Sequence, residues 1–143
     1  MRGIIFLLAI MLCKSLIAGE VDHTVKAMFD RNDVKYTIDS DNDFQVPFRD
    51  GNTVVVNSNL STYRDLTVRE IWVVLGEVGE KGSSLMYNML TENHKRKIGS
   101  YSMVVQQGKI YGIYTVRLAA KASWNELWSA ILFCSDINLP DGD

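Results

Sequence analysis

The chain has 143 residues, 47% of them hydrophobic and 22% charged, with a formal net charge of −2 at pH 7. That length suits one domain with a core of its own, and the near-balanced charge excludes the basic face that a phosphate backbone requires. Two prolines and no internal repeat exclude a disordered or solenoid chain.

Arg2 precedes an unbroken apolar run over residues 3–13, followed by Lys14 and a short segment ending Leu16-Ile17-Ala18-Gly19. A cationic start, an apolar stretch of that length and small residues before a cut are the layout of an export signal. The run is shorter than the ~20 apolar residues that cross a bilayer. Residues 1–19 therefore read as an export signal and residues 20–143 as a single domain, periplasmic or secreted. If the signal stayed uncut, it would be the only membrane contact. Cys13 follows Ile10-Met11-Leu12, whose Leu12 is too large for a lipid-attachment signal. Cutting after Gly19 removes Arg2 and Lys14, which leaves 13 basic against 17 acidic side chains, a net charge of −4. Cys134 is then the sole cysteine, so no intrachain disulfide is possible and the core must supply the stability.

Val21, Val25, Met28 and Phe29 recur at helical spacing with Asp22, Lys26 and Asp30 between them, which predicts an amphipathic helix ending near Asn32. Val34-Lys35-Tyr36-Thr37-Ile38 and Phe44-Gln45-Val46-Pro47-Phe48 alternate as strands, with the polar knot Asp39-Ser40-Asp41-Asn42-Asp43 as a hairpin tip. Pro47 places its strand at an edge. Thr53-Val54-Val55-Val56 is a third strand, and residues 57–67 read as a polar hairpin connection or loop. Residues 68–75, with Ile71-Trp72-Val73-Val74-Leu75 continuous, read as a strand buried on both faces.

Ser83 or Ser84 can cap a helix carrying Leu85, Met86, Met89 and Leu90, whose basic end His94-Lys95-Arg96-Lys97 suits a helix C-terminus. Residues 101–105 and 110–118 form a strand pair that turns at Gln107-Gly108-Lys109. Ser123-Trp124-Asn125-Glu126 is a capping box, and it opens a helix with Trp124, Leu127, Trp128 and Ile131 inward. The fold class is α+β: an antiparallel sheet of about five strands with three helices packed on it, in the order α-β-β-β-α-β-β-α.

That order resembles the YbjN-like family, with the fold of type III secretion chaperones. The strings that carry it are Asn32-Asp33-Val34-Lys35-Tyr36, Asp41-Asn42-Asp43-Phe44-Gln45-Val46-Pro47-Phe48, Leu90-Thr91-Glu92-Asn93-His94, Lys97-Ile98-Gly99-Ser100-Tyr101-Ser102-Met103 and Gln107-Gly108-Lys109-Ile110-Tyr111. The resemblance implies an α/β sandwich, often dimeric, that binds protein segments and does no chemistry. Members are described as sensory-transduction regulators or chaperone-like proteins, and no catalytic residue carries over.

Asp39, Asp41 and Asp43 stand at alternate positions of a calcium-loop spacing, with Asp50 at the twelfth. Phe44 occupies the place of the turn glycine, so a solvated acidic tip is the better reading and the three are weak metal candidates. His23 and His94 lie on the polar sides of separate helices. No nucleophile elbow, triad or phosphate loop occurs, so no catalytic residue and no cofactor are expected. The remaining feature is aromatic: Tyr111 and Ile113 fall on the strand face opposite Tyr114 and Val116. A face left uncovered there would be a binding surface. The sequence thus predicts an exported, non-enzymatic protein-binding domain, chaperone-like or regulatory. It would act through Tyr111, Ile113 and the strand edge at Val46 and Phe48, on a protein, a peptide or a second copy in a homodimer. The alternative is a small-ligand or calcium-binding periplasmic module.

Overall fold

The structure, a computed structural model, describes residues 19–79 and 82–140. The stretch that reads as an export signal lies, but for Gly19, outside the described residues. The first helix, α1, is His23–Arg31, with Val25 and Phe29 buried. It starts later than the apolar spacing suggests because the Asp22 carboxylate caps it, accepting from the N–H of Thr24 at 2.8 Å and of Val25 at 3.1 Å. β1 (Thr37–Ile38), β2 (Phe44–Pro47), β3 (Thr53–Val56), β4 (Ser61–Tyr63) and β5 (Leu66–Glu77) follow. Then come α2 (Gly82–Lys95), β6 (Ser100–Gln106), β7 (Lys109–Ala119) and α3 (Trp124–Ser135).

All strands join one antiparallel sheet in the order β1-β2-β3-β5-β7-β6, with β4 pairing β5 off this path. The expected α+β architecture stands, with seven strands where about five were anticipated. The stretch read as a polar connection adds a strand, its residues 61–63 zipping onto 66–68, and the first arm of the hairpin is shorter than its alternation suggests, pairing only at residues 37 and 38. Consequently β2 is not the outermost strand, but β1 pairs only its Phe44 and Gln45.

Register puts Phe44 opposite Val56, Val54 opposite Val73, Ile71 opposite Val116, and Tyr101 opposite Tyr114. These residues are all buried and belong to one cluster with Leu127, Ile131 and Cys134 of α3. That is the inner face, toward the helices. β5 is not evenly buried on both sides: Ile71 and Val73 are sealed, while Trp72 and Val74 on the other side are half-buried. Period-two alternation explains this, and the continuous apolar run concealed it. Phe29 of α1 meets Phe44 edge-on at 5.4 Å and Trp124 edge-on at 6.3 Å, tying both ends of the chain to the sheet.

The capping box of α3 forms as the sequence predicts. The Ser123 hydroxyl accepts from the Glu126 N–H, and the Glu126 carboxylate accepts from the Ser123 N–H at 2.7 Å. On α2 only Leu85 and Met89 face inward, whereas Met86 and Leu90 are exposed. Gly99, between α2 and β6, has φ +69°, and a Cβ there would stand 2.7 Å from the Thr115 carbonyl oxygen and 2.6 Å from Tyr114 Cε1. Backbone conformation and space therefore both demand glycine. Gly99→Ala is expected to lose about 2–4 kcal/mol, read as a lowered urea midpoint with an unchanged slope.

Candidate functional site

The outer face of the sheet is the candidate surface. Pairing sets Val55 beside Trp72 and Trp72 beside Thr115, Val74 beside Ile113, and Tyr111 beside Val104. Cross-strand ion pairs bracket this apolar strip, Arg117–Glu70 at 2.9 Å at one end and Lys109–Glu77 at 2.8 Å at the other. Both pairs are largely solvated, so they fix strand register more than they stabilise. Trp72 is anchored through its indole N–H, which donates to Asn57 Oδ1 at 2.8 Å. The three described helices all contribute to the inner-face cluster, through Val25, Leu85 and Leu127 among others.

The predicted binding residues sit in unlike places. Tyr111 and Ile113 do share the outer face; Ile113 is half-buried and Tyr111 is 6% exposed. Val46 points into the core, and Phe48 is half-buried and stacks on Trp128 at 6.4 Å. At residues 46–48, therefore, the edge offers neither of those two side chains, and the Phe48 N–H already donates to the Asn52 carbonyl at 2.8 Å while Pro47 has no N–H to give. Among the described residues, no strand pairs β2 beyond Gln45 on its β1 side.

Asp39, Asp41 and Asp43 do not converge on a common point. Asp39 Oδ1 accepts from the backbone N–H of Asp41 at 2.8 Å and of Asp43 at 3.1 Å, and Asp43 Oδ1 accepts from the Ser58 N–H at 2.7 Å. The carboxylates thus build the hairpin tip. Among the described residues no group of three metal-ligating side chains comes together. Both histidines are exposed, on different helices.

Cys134 is buried, and burial pushes its thiol up to about 12, far from nucleophilic at neutral pH. Glu70 and Glu77 each pair with a cation on β7 rather than with one another. In the basic run after α2, Arg96 lies over the rings of Tyr101 (5.6 Å) and Tyr114 (5.9 Å). Burial raises both phenols, whose hydroxyls donate to the carbonyls of Asn138 and Ile98 respectively.

The sequence gives no warning of two buried polar groups. Arg69, 4% exposed on the inner face, donates to Asp22 Oδ2 at 2.7 Å and to the Asn57 carbonyl at 2.9 Å. Its neighbours in sequence look like the polar start of a strand, and Asp22 lies 47 positions away, so no local pattern could have joined them. Gln106, 5% exposed, has no hydrogen-bond partner at either amide atom among the described residues. It is the last residue of a strand, where a polar side chain is ordinarily wet.

A single antiparallel sheet with helices on one side defines the class. No family model matches the chain, and no curated protein sequence does. The fold is similar to the crystal structure of YbjN from E. coli, described as a candidate transcription regulator. The TM-score is 0.59 and the identity 10%, over 85% of this chain and 87% of that one. The chain therefore has the YbjN-like fold that its strings of residues resemble. At that identity the likeness extends to the fold alone.

Proposed function

We propose that this chain is an exported, non-enzymatic protein-binding domain, chaperone-like or regulatory, whose working surface is the outer face of the sheet. The observation that supports it most is the apolar strip of Trp72, Val74, Val104, Tyr111 and Ile113 on the side without a described helix layer. Aromatic and aliphatic side chains framed by charged pairs are the composition of an interface core and rim. The Asp39 and Asp43 carboxylates already serve backbone N–H groups, which favours a protein partner over calcium. The acidic balance of the processed chain disfavours nucleic acid as that partner.

The test is the double variant Tyr111→Ala with Ile113→Asp in the exported protein. Self-association or partner capture is expected to fall at least tenfold, about 1.4 kcal/mol, while the far-ultraviolet circular dichroism spectrum stays as in the parent. Unchanged association would remove this surface from the account. Titration with calcium in a calorimeter, with Asp41→Ala as the control, separates the ligand-binding alternative: heat that disappears in the variant would favour it.

A further inference from the structure

We propose that the free edge of β6, flanked by an uncharged side of α2, binds an extended segment of another protein, apolar at every second residue and acidic at the end that reaches Lys97. This goes beyond the proposed function, since the site is the rim of the sheet and not its outer face. The hairpin decides which backbone groups are free. Gln107 and Gly108 both have positive φ, the two-residue turn that makes Gln106 and Lys109 a hydrogen-bonded pair. Bonded pairs then recur at every second residue, so Ser100, Ser102 and Val104 point their N–H and C=O groups at β7. Tyr101, Met103 and Val105 point theirs at the edge, where no further strand follows among the described residues. Asn93 of α2 closes the first of these: its Oδ1 accepts from the Tyr101 N–H at 2.6 Å and its Nδ2 donates to the Tyr101 carbonyl at 2.9 Å. Among the described residues, nothing pairs with the N–H or C=O groups of Met103 and Val105.

The flank of that edge says what fits it. Met86, Leu90 and Asn93 recur at i, i+4 and i+7, one stripe of a helix, and the Asn93 bonds fix that stripe toward the edge. α2 ends where β6 begins and packs on it, so the helix runs back alongside the strand. Asn93 to Met86 covers ~10 Å of helix and Tyr101 to Val105 ~14 Å of strand, which sets Leu90 and Met86 beside the two free residues. Leu90 is 64% exposed, Met86 43% and Val105 69%. Residues 86–91 carry no charged side chain. Unmet backbone donors and acceptors next to bare hydrocarbon call for a partner that brings backbone and apolar side chains together, and a lipid surface brings only the second. At the Asn93 end the surroundings are cationic. Lys95 and Arg96 share Glu92, and exposed Lys97 has no acidic partner among the described residues. An acidic end on the bound segment answers that charge. A second copy, paired antiparallel through its own β6, would instead bring its Lys109–Glu77 pair to this end, where the acid is already engaged.

Two labelled peptides titrated with the full chain test this by fluorescence anisotropy. One is a capped run of alternating valine and threonine that ends in two aspartates, and the other is the same run ending in two lysines. The aspartate-ended peptide is expected to bind at least tenfold more tightly than the lysine-ended one. It should also slow amide hydrogen exchange at Met103 and Val105, which are expected to exchange fast in the free protein. Leu90→Asp, at an exposed position, should weaken that binding several-fold, and Lys97→Glu should reverse the order of the two peptides. Absent or equal binding of the two, or binding that leaves exchange at Met103 and Val105 unchanged, would overturn the proposal. So would slow exchange at both residues in the free protein that quickens on dilution, which would mean that a second copy holds the edge. Partner capture through the outer face is a separate measurement, so either idea can fail alone.

Discussion

Arg69→Ala is expected to cost about 3–5 kcal/mol, because it strands a carboxylate and a carbonyl that were both served by one buried guanidinium. Arg69 joins three pieces of chain: its own strand β5, the Asp22 cap of α1 and the Asn57 carbonyl just after β3. Losing it removes a charge-assisted hydrogen bond and loosens the cap of the helix that carries Phe29. Thermal unfolding of the variant should show a midpoint many degrees below that of the parent. The same pair carries a pH signature. Burial pushes the Asp22 carboxyl up, but the hydrogen bond from Arg69 and those from the N–H groups of Val25 and Thr24 outweigh it, so its pKa lies below the usual carboxylate range. A depressed folded-state pKa gives stability that is fully present above the unfolded value near 4 and drains away as pH falls through the folded one. Parent and Arg69→Ala should therefore differ most at neutral pH and converge in acid. A constant gap across that range would show that the pair does not hold the charge.

Phe29→Ala is the second large effect, about 3–5 kcal/mol. The ring is fully buried and meets Tyr36, Phe44 and Trp124, so deleting it leaves a cavity bounded by three aromatic groups that cannot all close in. Phe29→Leu, which keeps most of the volume, should recover more than half of the loss. Urea unfolding at fixed pH measures both. A loss below about 1 kcal/mol for the alanine variant would show that α1 does not contribute to the common core.

Residues whose signals are local were readable in advance. The Ser123–Glu126 box, the turn at residues 107–108 and the alternation of Tyr114 and Val116 each act over a few positions, and each reports its own geometry. Strand pairing was less legible. Ser61, Thr62 and Tyr63 are exposed, so burial leaves no pattern on them, and β4 exists only because a turn brings residues 66–68 alongside. Val34 and Tyr36 alternate as a strand would, yet they pack on the core without pairing, since side-chain burial alone satisfies their pattern. On the candidate surface, parity placed Tyr111 and Ile113 together correctly. It could not foresee that Val46 turns inward, because parity within a strand does not say which face the helices take. Trp72 and Val74 were hidden by an uninterrupted apolar run, and Arg69 by the distance of its partners in sequence.

If the outer face does the work, the fold divides its labour. The inner face and its helices hold the structure, Asp22 and Arg69 lock the first helix to the sheet, and the strip from Trp72 to Tyr111 meets the partner. Affinity capture from native periplasm, with the processed protein and its Tyr111→Ala/Ile113→Asp variant as parallel baits and quantitative mass spectrometry as the readout, tests that division most directly. The expected result is a defined protein, or more of this same chain, retained by the parent and lost from the variant. Identical sets of retained proteins on the two baits would contradict it.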